Sequence, residues 1–438
     1  MTKSKRAKVL KDENGVDLIS SMPDPILELI LLCLPIADVV RTSILSTRWR
    51  NLWTSIPVFP SLDIDCSQVI EFKKDIFQEF VSKVLANNTR DLETFRLNCA
   101  NDYYNISTIT KWIQEAVMRK VKSLDLTFSN SNKYSFTRFP ICLLQCYSLE
   151  VLRLCFCSPN LYSLSKIGFQ ELRVLELNNV KLVSDTSIAV FLKRCPLLED
   201  LSLIDCSMMS SDTLHMYKRC MCDLHISGPK LVILEYGGNL AYKYHVITFE
   251  NLHSLKKAMI YPEDMSHKDL STESMMGDNI CELFPSVSHV CIYAARDLKG
   301  QFPASLPNLK TLELTTTINA FTMNVLIRIL RCCPNLESLH LLIEKVQLMT
   351  EYWALHEIET RKLLTDHLKT VKFLRFNGKK RRVGIARFLI QHGNALEKML
   401  FSWRSKVRYN DKSMKLMNKM SKLYKASSTV KLISHLDE

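Results

Sequence analysis

Glycine is scarce, at 10 of 438 residues. Neither a G-x-G-x-x-G fingerprint nor a G-x-x-x-x-G-K-[ST] loop occurs, so the two commonest glycine-rich phosphate cradles lack their signature. No apolar run approaches the ~20 residues of a membrane helix. The longest, Ile26 to Val40, is interrupted by Glu28, Pro35 and Asp38. The opening stretch MTKSKRAKVLKDENG is basic and then polar, without the apolar segment of a secretory signal. The expected address is therefore reducing, nucleus and/or cytoplasm, with most of the 15 cysteines as thiols. The sequons at Asn87 and Asn105 then carry no sugar. C-x-x-C is absent too. The nearest approach to a zinc ligand set is His215, Cys220, Cys222 and His225. Its cysteines are too close together for the usual zinc knuckle, and repeat packing is the simpler reading. Neither a metal nor a cofactor is expected. Eleven His and 15 Cys make chance pairs inevitable, so no nucleophilic triad is assigned, and no membrane partner is expected.

What is present is apolar bulk and an uneven charge. Hydrophobic residues make up 47%, enough for a sizeable core, and the length fits two or three domains or one repeat array. The net charge is +13, which on its face suggests nucleic acid. Residues 1–11 carry five basic residues and no acid. Residues 361–438 carry 20 basic residues against Asp366, Glu397, Asp411, Asp437 and Glu438, a net +15. The body, 12–360, therefore nets −7. The N-terminal cluster reads as a nuclear import signal or a solvated tail. The run Lys379-Lys380-Arg381-Arg382 falls between a strand-like Val371–Phe376 and a helix-like Ile385–His392. It reads as a partner-binding or solubility feature, a nuclear signal or a phosphate grip. Few aromatics are interleaved with the basic residues, which argues against nucleic-acid stacking.

Residues 17–53 predict three short helices. Asp24 suits an N-cap and Pro25 the first helical position, with the helix running to about Leu34 before Pro35. A second covers Asp38 to Leu45, and Ser46 caps a third in which Trp49, Leu52 and Trp53 share a face. The first helix is apolar nearly all round. Ile26, Leu27, Ile30, Leu31 and Leu34 form one stripe, and Leu29 and Leu32 lie on other sides. A module of about 40 residues buries only one side of each helix, so the remaining apolar surface needs a partner, either another chain or the rest of this one.

Downstream, L-x-x-L-x-L recurs. Clear copies begin at Leu92, Val121, Leu149, Leu172, Leu198, Leu309 and Leu336, and weaker ones at Leu231, Leu255, Val287, Leu368 and Leu396. The mean period is about 28 residues, within the leucine-rich-repeat range. Alternate residues of a strand face opposite ways. The leucines thus point inward, and the residues between them line an exposed surface: Arg96, Asp125, Arg153, Glu176, Asn178, Asp200, Ser202, Glu235, Glu313, Thr315 and His340. Their tilt to acid suggests a target with a partly basic surface. Runs such as 187–192 and 324–330 read as amphipathic helices between strands. The expected fold class is α/β: a small three-helix N-terminal module, then an irregular solenoid with parallel strands inside and helices outside. Cys146, Cys195 and Cys333 each lie three residues before a first Leu, and Cys157 and Cys206 eight after one, which assigns them packing positions.

Three segments resemble known families. Met22-Pro23-Asp24 followed by Val40-Arg41-Thr42-Ser43-Ile44-Leu45-Ser46-Thr47-Arg48-Trp49-Arg50-Asn51-Leu52-Trp53 resembles the plant F-box, with Met22 where Leu is usual. The repeats resemble those that follow the F-box in many plant proteins, and 368–403 resembles the FBD-type C-terminal region. The organisation implied is a basic tail (1–16), an F-box (17–57), a leucine-rich-repeat solenoid (58–360) and a basic FBD-like region continuing the repeat (361–438). The resemblance implies a non-catalytic substrate-recognition subunit of an SCF-type (Skp-cullin-F-box) ubiquitin ligase. Its F-box would dock a Skp-type adaptor, and through it a cullin. Its repeats would hold a target protein. The residues implied at or behind the docking surface are Met22, Pro23, Ile26, Leu27, Ile30, Leu34, Val40, Leu45, Trp49, Leu52 and Trp53. The alternative is a leucine-rich-repeat scaffold outside a ubiquitin ligase, and a third reading, a nucleic-acid binder, rests on the basic ends.

Overall fold

The structure is a computed structural model. It describes residues 18–42, 44–55, 60–65, 78, 81–82, 85, 91–100, 106–129, 137–138, 142–143, 146–158, 169–182, 185–208, 222–237, 244–261, 287–292, 305–318, 330–346, 367–403, 414–423 and 425–436. The N-terminal basic cluster, His215, Cys220 and all of 324–330 except Leu330 lie outside these. The chain divides into two compact units, Met1–Asn132 and Lys133–Glu438.

The first unit begins with helices α1 (Leu18–Ser21), α2 (Asp24–Leu32), α3 (Ile36–Thr42) and α4 (Thr47–Ser55). Each boundary has a local cause. Pro23, extended at φ −62° and ψ 147°, precedes α2 and gives no side-chain cap. Asp24 is thus the first helical residue rather than its cap, because Arg48 takes its carboxylate instead. Arg48 Nε donates to Asp24 Oδ1 at 2.8 Å and Arg48 Nη2 to the Met22 carbonyl at 2.6 Å. One guanidinium therefore ties the start of α2 to α4. At the other junction Ser46 does cap, its Oγ accepting from the Trp49 N–H at 3.3 Å. Strands β1 (Ser61–Asp65), β2 (Thr94–Ala100) and β3 (Ser123–Ser129) pair in parallel, Ser61 opposite Thr94 and Thr94 opposite Ser123. Helix α5 (Ile106–Met118) crosses between β2 and β3, burying Ile109, Trp112, Ile113, Ala116 and Val117. These recur at helical spacing on one face.

The main sheet of the second unit has eleven parallel strands among the described residues: β4 (Val151–Cys155), β5 (Val174–Asn178), β6 (Asp200–Ile204), β7 (Ile233–Gly237), β8 (Lys257–Tyr261), β9 (His289–Ile292), β10 (Thr311–Ile318), β11 (Ser338–Val346), β12 (Thr370–Phe376), β13 (Lys398–Trp403) and β14 (Lys431–Leu436), each hydrogen-bonded to the next in chain order. Helices α6 (Asp185–Lys193), α7 (Lys380–His392) and α8 (Met414–Ser421) lie in connections between strands. The basic run is not a loop: Lys380, Arg381 and Arg382 form the first turn of α7. Parallel neighbours need a crossover of a dozen or more residues, which is why the strands recur at the sequence period. Every one of the twelve L-x-x-L-x-L copies yields a strand starting two residues after its first apolar position. Among the described residues no helix is long and apolar enough to cross a membrane.

The core is the inward row of each strand: Leu152, Leu154, Leu175, Leu177, Leu201, Leu203, Leu234 and their counterparts through Val371, Phe373, Met399 and Phe401 are buried. Just before each strand one carbonyl accepts two successive N–H groups of the next coil. Glu150 O takes those of Arg173 and Val174 at 2.8 and 3.1 Å, Arg173 O those of Glu199 and Asp200, and so on to Lys369 O, which takes those of Glu397 and Lys398. Just after β4, β5 and β6 a left-handed residue turns the chain: Phe156, Asn179 and Asp205, with φ near 50°. Its N–H donates across to the end of the next strand, Phe156 to Asn178 O at 3.1 Å, Asn179 to Ile204 O and Asp205 to Gly237 O. Cysteines occupy the space behind. Cys206 Sγ donates to Leu177 O at 3.3 Å and Cys195 Sγ to Phe191 O at 3.4 Å. Burial pushes the thiols up, Cys195 to about 11 and Cys206 to about 12. They are packing groups, not nucleophiles.

Two features of the second unit generate tests. A Cβ on Gly237 would lie 2.3 Å from the Tyr261 carbonyl oxygen, so β7 and β8 approach as closely as they do only because position 237 has no side chain. Gly237→Ala should cost about 1–3 kcal/mol from overpacking, read as a lower denaturant midpoint with an unchanged slope. On the exposed face, burial and then the Glu176 and Glu235 carboxylates raise the pKa of Asp200 above its ordinary 3.8. A raised carboxyl pKa means that the unfolded chain ionises first, so its contribution to stability falls as pH rises through 3.8 toward the folded value. Asp200→Asn should therefore melt higher than wild type at neutral pH. The advantage should fade on acidification toward pH 3.8.

Candidate functional site

The first unit presents an apolar surface that its own core does not use. Leu27 and Leu31 of α2, Ile36 and Val39 of α3, and Trp49 and Leu52 of α4 are buried together. At 100° per residue Leu27 and Leu31 point the same way. The rest of α2 points elsewhere: Ile26, Leu29, Ile30 and Leu32 are exposed, Leu29 by 63%, and so are Ile44 (78%) and Leu45 (66%) in the turn before α4. The eleven residues expected at this surface thus separate. Pro23, Ile26, Ile30 and Leu45 are outward, Met22 and Leu34 are half-buried, and Leu27, Trp49 and Leu52 form the core that holds the others in place. Val40 lies in α3 and Trp53 in α4, and their side chains lie outside the described ones. Leu29, Leu32 and Ile44 are outward residues that the stripe reading passed over. For Leu29 and Leu32 the signal is the all-round apolarity of α2; Ile44, in the turn before α4, has none.

In the second unit the parallel register converts strand alternation into rows. One row across the exposed face reads Arg153, Glu176, Ser202, Glu235, Met259, Cys291, Glu313, His340, Lys372. The neighbouring row includes Asp200, Lys257, His289, Ser338 and Lys398. Of the expected recognition residues, Arg153, Glu176, Asp200, Glu235, Glu313 and His340 are half-buried, and Asn178 is exposed. Ser202 and Thr315 are only 7% and 8% exposed. Arg96 and Asp125 belong to the first unit, where Arg96 pairs with Asp63 at 3.3 Å and Asp125 at 3.7 Å.

The charges on this face neutralise one another locally. Arg153 Nε donates to Glu176 Oε1 at 2.8 Å. Glu313 Oε2 lies 3.4 Å from His340 Nδ1, and His340 Nε2 lies 3.0 Å from Ser338 Oγ. A carboxylate only accepts, so Nδ1 carries a proton toward Glu313. The hydrogen bond from His340 holds the Glu313 carboxyl below its ordinary value. His289 and Cys291, which the sequence reading passed over, stand beside Glu313. Cys291 Sγ is 3.2 Å from His289 Nε2. Burial first, then the Glu313 carboxylate, pushes the thiol up to about 11, while burial and Lys257 lower the imidazole. Both shifts favour the neutral pair over a thiolate–imidazolium pair, which is the opposite of what a cysteine nucleophile needs.

Comparison with known proteins places these two surfaces in one family. The F-box domain matches residues 19–61, and the leucine-rich-repeat domain described as At1g61320/AtMIF1, LRR domain, matches 84–436. Among curated proteins of Arabidopsis thaliana, FBD-associated F-box protein At5g22730 is 24% identical over 96% of this chain and 94% of its own length. F-box/FBD/LRR-repeat protein At3g52680 is 28% identical over 97% and 94%. F-box/LRR-repeat protein 13 is 35% identical over 44% and 42%. A solved leucine-rich-repeat protein of Leptospira interrogans shares 15% identity over 86% of this chain and 95% of its own, with a TM-score of 0.26. With α2–α4 inside the F-box match and β2–β14 inside the repeat match, the chain belongs to the F-box proteins with leucine-rich repeats, and it is similar along nearly its whole length to plant proteins of the F-box/FBD/LRR-repeat kind.

Proposed function

We propose that the chain is the target-recognition subunit of an SCF-type ubiquitin ligase. Its F-box docks a Skp-type adaptor, which links it to a cullin, and the exposed face of its parallel strands holds a target protein. The observation that carries this reading is the outward apolar set on α2 and the turn before α4, on a module whose core is already closed by Leu27, Leu31, Ile36, Val39, Trp49 and Leu52. A surface of this kind is a protein–protein interaction site by its chemistry. The chain itself performs no reaction. It supplies proximity, raising the effective concentration of target lysines near the ubiquitin-charged conjugating enzyme. The half-buried acids Glu176, Asp200 and Glu235 suit a target with a basic contact surface, recognised through charge complementarity and rate of encounter more than through raw affinity.

The test uses substitutions on the outward set. Leu29→Asp with Ile30→Asp should abolish co-purification with a Skp-type adaptor and leave the melting profile of the full chain unchanged, since neither side chain is in the core. Leu52→Ala should instead lower stability by about 2–5 kcal/mol, weakening adaptor binding only through loss of fold. If the wild-type chain fails to bind the adaptor at micromolar concentration, the ligase reading is wrong and the chain is a repeat scaffold.

A further inference from the structure

His289, Cys291 and Glu313, the last also one of the expected target-face residues, converge on the outward side of β9 and β10, where Cys291 is only 2% exposed and the other two are half-buried. His289 and Cys291 stand two residues apart on β9, so both project from the same face. Glu313 of β10 lies directly opposite Cys291 in register. One ligand atom from each of the three lies within 4.8 Å of the others, and the Cys291 Sγ to His289 Nε2 distance is 3.2 Å. In a tetrahedral zinc site, bonds of about 2.3 Å to sulfur and about 2.0–2.2 Å to nitrogen or oxygen put ligand atoms roughly 3.2–3.7 Å apart. The Cys291–His289 pair stands at the short end of that range, and the remaining separations, at most 4.8 Å, have to shorten by side-chain rotation for the three to close round an ion. The main chain needs no movement, because β9 and β10 are locked by their ladder, His289 opposite Thr311 and Cys291 opposite Glu313.

We propose that His289, Cys291 and Glu313 bind a zinc-class divalent cation. Thiolate, imidazole and carboxylate together select a borderline-soft ion and disfavour calcium and magnesium, which take oxygen ligands. The carboxylate is already oriented from behind: His340 Nδ1 approaches Glu313 Oε2 at 3.4 Å, and Ser338 Oγ holds the far nitrogen of His340. Supporting contacts of this kind around a metal ligand hold its geometry. Charge balances as well. A thiolate, a carboxylate and a neutral imidazole offset the two positive charges of the ion, and the Cys291 proton leaves to solvent as the metal–sulfur bond forms. Lys257, opposite His289 on β8, opposes a cation, as does His340 when protonated, and Glu235 on β7 partly compensates them. Three protein ligands leave the fourth tetrahedral position to water or to a group brought by a bound molecule. The site does not depend on whether the F-box docks an adaptor.

Cobalt(II) titrated into the metal-free full chain reads the site directly, because tetrahedral cobalt is coloured and a cobalt–thiolate bond adds a near-ultraviolet charge-transfer band. One equivalent should develop both signals, and zinc should bleach them. Cys291→Ala should remove the thiolate band, with Cys291→Ser as the size-conserving substitute if the alanine variant unfolds. His289→Ala, Glu313→Gln and His340→Ala should each weaken cobalt binding about tenfold or more, and Lys257→Met should tighten it. Cys33→Ala, which alters an exposed thiol, should leave the spectrum unchanged. A wild-type chain that shows no thiolate band, or a band that survives in folded Cys291→Ala or Cys291→Ser, overturns the assignment.

Discussion

The second unit depends on one repeated hydrogen-bond device, the shared carbonyl that precedes each strand. From Glu150 through Arg173, Glu199, Val232, Lys256, Ser288, Lys310, Glu337 and Lys369, each of these oxygens accepts two N–H groups from the next coil. Buried backbone polar groups must be paired, and this arrangement pairs them at the point where each chain segment enters the sheet. It therefore fixes register before any side chain is considered. Once register is fixed, the leucines of successive coils meet in one inward layer and the outward residues fall into rows. The ion pairs beside the ladder, such as Arg173 with Glu199 and Glu337 with both Lys310 and Lys369, are exposed. Pairs of that kind contribute about 0–1 kcal/mol each, so they decorate the ladder and do not set it.

The same economy appears in the first unit, on a smaller scale. Arg48 joins the start of α2 to α4, and with that junction fixed only two residues of α2 enter the core. The helix is apolar on further sides because it has two surfaces to serve. A short helix that spent all its leucines on its own module would have none left for a partner. One that spent them all outward would not hold its place.

Much of this was legible in the sequence, and the reasons are specific. All twelve repeat copies gave strands because an inward position tolerates only apolar side chains, and that tolerance is written directly into the L-x-x-L-x-L spacing. Two strands escaped the pattern. β1 follows Phe-x-x-Leu-x-Ile, and β14 has Thr429 and Ser434 where the others have apolar residues. Asp24 was misread as a cap because propensity cannot see Arg48, 24 residues away. The basic run at 379–382 reads as lying between a strand and a helix because the apolar helical pattern shows only from Ile385, yet α7 begins at Lys380, with basic charge at an end where the helix dipole opposes it. The His289, Cys291 and Glu313 cluster was invisible for a different reason. It joins two strands whose weak copy at Val287 hides the register, and only the register puts Cys291 opposite Glu313.

The parallel ladder also sets a measure. Neighbouring strands lie about 4.8 Å apart, while an extended chain advances about 3.4 Å per residue. A peptide laid across the strands therefore meets them out of step. Five strand-to-strand spacings cover about 24 Å, which matches about seven peptide residues. Only every seventh position of such a peptide returns to the same alignment with a strand. The face thus reads an extended ligand as a vernier reads a scale, at sparse coincidences, and a few well-placed side chains suffice to choose it.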